Sequence, residues 1–104
     1  MKKSIKNVTC KITEVGNFNK IVKSWYLDDE LMNGVELEVN DVVNIKEYED
    51  PMIPGGEYSV IKKMGSDGKL YSTSVLGRLI FNREDDDYIM KNDRHRLLYT
   101  TRLK

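Results

Sequence analysis

Apolar and polar residues alternate near the start of the chain: Val8, Cys10 and Ile12 fall on one side of an extended backbone, Ile5, Asn7, Thr9 and Lys11 on the other. Period-two alternation with β-branched residues predicts a strand over 5–15. Gly16-Asn17-Phe18-Asn19 carries turn chemistry and Lys20-Ile21-Val22-Lys23 reads as a short returning strand, so a first hairpin is expected. The pattern then changes. Ser24 suits an N-cap, Asp28, Asp29 and Glu30 suit a first turn, Leu27 and Leu31 lie four apart, and Gly34 suits a C-terminal stop. These predict a short helix over 24–33, with a wide acidic loop as the alternative. So short a helix needs Trp25, Leu27 and Leu31 to pack.

Over 35–48 the alternation is clearest, with Val35, Leu37, Val39, Asp41, Val43 and Ile45 sharing one parity. A bend is expected at Asn40-Asp41. Residues 49–56 hold both prolines and read as a loop. Met52 and Ile53, apolar at its centre, are expected to fold back over an open barrel end, or else to form a binding tip. Glu57 to Met64 and Leu70 to Leu76 read as strands joined by Gly65-Ser66-Asp67-Gly68-Lys69, whose Asp-Gly is a strong hairpin signal. Gly77 bends the chain before a short buried strand at Leu79-Ile80-Phe81. An acidic turn spans 82–87, Tyr88-Ile89-Met90 is short and ambiguous, and Leu97 to Leu103 forms the last strand. The chain shows neither repeats nor a linker.

The segment Leu37-Glu38-Val39-Asn40-Asp41-Val42-Val43-Asn44-Ile45 resembles the entry to small SH3-like barrels, where a turn precedes a strand whose alternate residues fill the barrel. The resemblance covers about a tenth of the chain and implies a fold, since such barrels host many unrelated functions. The expected architecture is mostly β: a small SH3-like open barrel or a strongly twisted antiparallel sheet.

Length limits the alternatives. At 104 residues the chain fits one domain, 1–104, with no room for two independent cores. A hydrophobic fraction of 39% with 33% charged residues predicts a thin core and a heavily charged surface. No stretch reaches the ~18 apolar residues of a membrane span, and the basic start does not read as a signal peptide. The single cysteine, Cys10, suits a reducing compartment. Abundant Lys, Asn, Ile and Tyr without any Ala often accompanies an AT-rich genome, so the expected setting is the cytoplasm of a bacterial host, for a protein of phage or mobile-element type.

A net charge of zero conceals blocks. Residues 1–27 carry six Lys against one Glu, residues 28–57 carry ten acids against Lys46, and residues 94–104 carry four basic side chains and no acid. Acidic and basic strands that neutralise one another across the sheet would account for this. A negative surface that attracts a basic protein would account for it too.

Chemistry is sparse. His95 sits between Arg94 and Arg96, which oppose both protonation and metal binding. Cys10 in a strand behaves as a small core residue. Asp85-Asp86-Asp87 lacks the alternate spacing of a calcium loop and reads as a solvated turn. No catalytic centre, metal or cofactor is expected.

The leading expectation is a non-enzymatic module presenting its acidic block to a larger, basic, nucleic-acid-handling protein. In kind, this resembles phage-encoded inhibitors that set carboxylates where phosphates would lie. The residues expected to touch the partner are Tyr26, Asp28, Asp29, Glu30, Glu47, Tyr48, Glu49, Asp50, Met52 and Ile53, with Trp25 and Tyr58 in the core. The alternative is an SH3-like nucleic-acid binder using Lys91, Arg94, Arg96, Arg102 and Lys104 together with Lys2, Lys3 and Lys6. A third reading is a structural subunit that pairs through an exposed edge, such as the C-terminal strand.

Overall fold

A computed structural model describes residues 5–52, 56–82, 87–92 and 97–103. The protein is mostly β. Its strands are β1 (Lys6–Glu14), β2 (Trp25–Leu27), β3 (Glu30–Met32), β4 (Val42–Glu49), β5 (Glu57–Met64), β6 (Leu70–Val75), β7 (Gly77–Asn82), β8 (Asp87–Asn92) and β9 (Leu97–Leu103), with one short helix, α1 (Phe18–Ile21). All pairing is antiparallel, in the order β3-β2-β6-β5-β4-β1-β9-β8-β7.

The sheet is not closed into a barrel. Its curl nevertheless brings β7 back over β4 and β5, because β6 and β7 are two halves of one run broken at Leu76. Side chains span the remaining gap: Ser59 Oγ donates to the Gly77 carbonyl at 3.1 Å, and the Leu79 N–H donates to Glu47 Oε1 at 2.9 Å. Inside lie Cys10, Ile12, Val43, Ile45, Ile61, Val75, Leu79 and Met90, the alternate residues of their strands. β9 pairs with both β1 and β8, so it is interior and offers no edge for a neighbouring subunit.

Three expectations from the periodicity are corrected. First, residues 5–15 and 20–23 do not form a hairpin. β1 pairs with β4 and β9, and the chain turns once as α1, where the Val22 N–H donates to the Phe18 carbonyl at 2.8 Å. Phe18 and Val22, four apart, are both buried, and the Phe18 ring tilts against Trp25 at 6.2 Å. Their burial outweighs the β-propensity of Ile21 and Val22.

Second, no helix forms over 24–33. β2 and β3 make a tight hairpin whose two turn residues, Asp28 (φ 50°) and Asp29 (φ 67°), are both left-handed. Such a turn matches the twist of its strands. Trp25 points in and Tyr26 out, so the Leu27–Leu31 spacing reflects the hairpin and Leu31 is exposed.

Third, residues 35–39 are not strand. They form a strap anchored by Asn19, whose side chain donates to the Leu37 carbonyl at 2.8 Å and accepts from the Leu37 N–H at 2.9 Å. That amide takes the place of a neighbouring strand for buried Leu37. At Asn40 (φ 78°) a turn hands the chain to β4, with Asp41 Oδ2 accepting from the Glu38 N–H. The 57–64 and 70–75 strands, the 65–69 turn and the last strand lie where the sequence placed them.

Candidate functional site

The register decides which acids meet. Tyr26 pairs with Ser72 in antiparallel sense, which carries the Asp28-Asp29 tip toward the Leu70 end of β6. The β5–β6 turn, with Asp67, and the strap, with Glu36, Glu38 and Asp41, end at the same place. A depression of about 480 Å³ there is lined by Glu36, Glu38, Asp41, Lys63, Asp67 and Tyr71, among others. Three separate turns thus bring Asp28, Asp29, Glu30, Glu36, Glu38, Asp41 and Asp67 to one end of the sheet.

Two cations stand near these acids, Lys69 beside Asp67 and Lys63 beside Asp41. Lys63 is buried on the inward face, where its ammonium donates to Asp41 Oδ2 at 3.0 Å and to the Glu36 carbonyl and stands 5.9 Å from the Trp25 ring centre. It ties the strap to the sheet, and its charge is spent internally. Asp67 accepts from the Tyr71 hydroxyl at 2.6 Å and from the Lys69 N–H at 3.0 Å. The Tyr71 bond, followed by the Lys69 N–H, holds its carboxyl below the usual range, so it stays ionised.

Apolar side chains stand among these acids. Leu31, Val39, Met64 and Leu70 are each 48–58% exposed. Together the acidic end offers carboxylates around apolar anchors, the composition of a protein interface more than of a cation cage.

The rest of the acidic block lies elsewhere. Glu49 pairs with Glu57 and Glu47 with Ser59, toward the far end of β4 and β5, about 20 Å and about 13 Å along the strand from Val43 at ~3.3 Å per residue. The block is therefore two clusters.

Glu47 is also misassigned as a docking residue, since it points inward and is 1% exposed. Burial pushes its carboxyl pKa up, while the Leu79 N–H and then Lys6, 3.8 Å away, pull it back and Glu57 raises it again. Its task is to hold β7. Met52 is 85% exposed and does not fold back over the core, its N–H donating to Asp50 Oδ1. Ile53 lies outside the described residues. Tyr58 is not a core residue either: it stacks on Tyr48 at 5.3 Å and 19° on the outer face. Trp25 is buried as expected, and Tyr26 is 41% exposed.

The alternative basic cluster is only partly described. Arg94, Arg96, Lys104, Lys2 and Lys3 lie outside the described residues. Lys91 is half-buried on β8, and Arg102 stands opposite Lys11 and Asp87 in the backbone register of β9 with β1 and β8. Lys6 donates to the Leu79 carbonyl at 2.8 Å and lies 3.8 Å from Glu47, with its side chain still 43% exposed.

Among the described residues no group of His, Cys, Asp and Glu could hold a metal ion, and no helix is long and apolar enough to cross a membrane. Cys10 is buried in β1. His95, Asp85 and Asp86 lie outside the described residues, and Asp87 begins β8.

Asp67, Glu36, Glu38 and Asp41 are the members of the acidic end that sequence reasoning missed as site residues. The signal for Asp67 was present, because the turn holding it was recognised. Its place beside the Asp28-Asp29 tip depends on β2 pairing with β6, a contact 46 residues apart in the chain. Compared with protein families, with curated proteins and with solved structures, the chain matches none.

Proposed function

We propose that the protein is a non-catalytic binding module that docks its acidic end on a basic surface of a larger protein. The observation that carries this reading is the convergence of carboxylates from the β2–β3 hairpin, the strap and the β5–β6 turn around exposed Leu31, Val39, Met64 and Leu70. Carboxylates held at turns offer Arg and Lys side chains the hydrogen bonds that phosphates would. The natural partner is a protein whose groove handles nucleic acid, and occupancy of that groove would block it.

Apolar anchors are required as well. Exposed ion pairs contribute only about 0.2–1 kcal/mol each, so charge sets specificity and association rate while the buried apolar contacts set lifetime.

The test uses tagged protein as bait in a bacterial lysate, washed at low and then high salt. It is run beside a variant carrying Asp28→Asn, Asp29→Asn and Glu30→Gln. Asn tolerates the left-handed turn, so the hairpin is retained. A basic protein captured by the native chain, released by salt and lost with the variant is the expected result. Equal capture by the variant would overturn the reading.

A further inference from the structure

Opposite in character to the acidic end is the outer face of the sheet. Outward-pointing positions alternate with the core, and the ladders align them in rows. One row runs Tyr48–Tyr58. The next runs Asn7–Lys46–Val60–Ser74, and the one after it Thr9–Asn44–Lys62–Ser72–Tyr26. Lys11, paired with Val42, begins the row beyond. Across β1, β4, β5 and β6 no outward position of these rows is Asp or Glu, in a chain holding 17 acids.

Three features of this face converge on one kind of ligand. Lys46 and Lys62 are diagonal neighbours, ~7–8 Å apart at the backbone, and Lys11 lies two strands from Lys62. Among the described residues none of the three is in an ion pair, so each charge is available to an anion. Beside them the stacked Tyr48–Tyr58 pair, half-buried, closes one end of the face. Tyr26 flanks the lysine row from β2. Between them Asn44 and Asn7 are linked at 2.8 Å and present amide groups that both donate and accept.

Regularly placed ammonium groups, aromatic rings and neutral amides on a solvent-facing sheet match a polyanion that also carries planar, hydrogen-bonding groups. The geometry points to single-stranded nucleic acid lying across the outer face of β1, β4, β5 and β6, its phosphates on Lys11, Lys46 and Lys62 and a base against Tyr48. A duplex fits less well, because its bases are stacked away from the rings while a single strand exposes them. An acidic peptide would satisfy the lysines and leave the aromatic and amide groups without a role.

This surface adjoins the acidic end, since the Lys62–Ser72–Tyr26 row ends on Leu31 and the next row holds Met64 and Leu70. The two proposals use different charged groups and are tested by different variants. The local positive field must act alone, since net charge is zero and long-range attraction is absent. The expected affinity is that of weak, salt-sensitive single-strand binding.

The experiment is fluorescence anisotropy with labelled oligo-dT and oligo-U of about 12 nucleotides, within the range covered by one small β module. A mixed-sequence duplex of the same length serves as the comparison. Three phosphate contacts give a salt slope of about −2, so raising salt from 50 to 200 mM lowers affinity about 20-fold. Lys46→Gln with Lys62→Gln leaves one contact and cuts that salt effect to about 3-fold. Tyr48→Leu weakens binding about 5- to 100-fold while Tyr48→Phe retains it, because a ring is needed and a hydroxyl is not. All these positions face outward, and urea denaturation checks that each variant stays folded.

Any of three results would overturn the proposal: no binding at 50 mM salt with protein near 100 µM, the weak end of non-specific binding; equal or tighter binding of the duplex; or an unchanged salt slope in the double lysine variant. The last would assign binding to basic residues elsewhere. The Asp28→Asn, Asp29→Asn, Glu30→Gln variant should bind the strand as the native chain does, which separates this surface from the acidic end.

Discussion

The Asp28-Asp29 turn links stability and function in one replaceable dipeptide. Both residues are left-handed, at φ 50° and 67°. That conformation costs an ordinary side chain about 1–2 kcal/mol, with Asp toward the low end. Asn-Gly is the preferred pair for such a turn. Asp28→Asn with Asp29→Gly removes most of the strain, while the added chain entropy of glycine opposes it by ~0.5–1 kcal/mol. Repulsion among Asp28, Asp29 and Glu30 is relieved as well.

The net expectation is a gain of about 0.5–1 kcal/mol. With a urea slope near 1 kcal/mol per molar, typical of small domains, the midpoint rises by about 0.5–1 M. Asp29→Ala is the control and should lower it, because alanine has no side-chain polar group to help it adopt a left-handed backbone. Meanwhile the double variant gives up two carboxylates of the acidic end. At ~0.2–1 kcal/mol per exposed pair it should hold a basic partner roughly 2- to 30-fold less tightly. A more stable protein with weaker capture is the predicted signature. A lower urea midpoint would refute the turn assignment, and undiminished capture would remove the hairpin from the docking surface.

Glu47→Gln should flatten the pH dependence of stability. Burial raises the Glu47 carboxyl above its ordinary 4.5, so the folded chain holds this proton more tightly than the unfolded chain does. Its contribution is therefore fullest below that ordinary value and is lost as pH rises through the folded pKa. Urea midpoints taken from pH 4.5 upward should fall for the native chain more than for the variant, and parallel curves would contradict the assignment. Asn19→Ala strands the N–H and carbonyl of Leu37, at a combined cost of about 2 kcal/mol. A thermal melt should show a fall of roughly 10 °C, and an unchanged melt would mean the strap is held without that amide. Gly65→Ala places a Cβ 2.6 Å from the Tyr71 ring and 2.7 Å from Asp67 Oδ1, so it should cost about 1–3 kcal/mol. A native urea midpoint for that variant would show that the ring can move aside.

What could be read in advance was whatever depended on neighbours in the chain. Alternation located β1, β4 and β5, and Asp67-Gly68 located the β5–β6 turn. Its parity extended further than it was followed: Glu47 continues the series of Val43 and Ile45, and that alone places its carboxylate inside. The elements that were misread depend on distant partners. Phe18 and Val22 form a helical turn because Trp25 is there to pack on, and Leu37 is buried because Asn19 reaches it. Asp-Asp is an unusual pair for a left-handed hairpin turn, so the β2–β3 hairpin left little local trace, and its acids mimicked the first turn of a helix. Linear proximity joined Glu47, Glu49 and Asp50 to a hairpin that the register sends to the opposite end of the sheet, and it left out Asp67, which the register brings to the hairpin's end.

Among the described residues, Asp28, Asp29, Glu36, Glu38, Asp41 and Asp67 lie in turns and the strap, while Lys11, Lys46 and Lys62 occupy outward strand positions. Fields beyond about 8–10 Å are screened at ordinary salt, so a ligand responds chiefly to the charges beside its own contacts. Salt weakens both kinds of contact and cannot tell them apart, whereas substitutions that remove charge from one surface can. Asp28→Asn, Asp29→Asn with Glu30→Gln should lower capture of a basic protein and leave oligonucleotide binding in place, and Lys46→Gln with Lys62→Gln should do the reverse. If either variant lost both kinds of binding with the protein still folded, the two surfaces would not be independent, and the division of charge drawn from the register would be wrong.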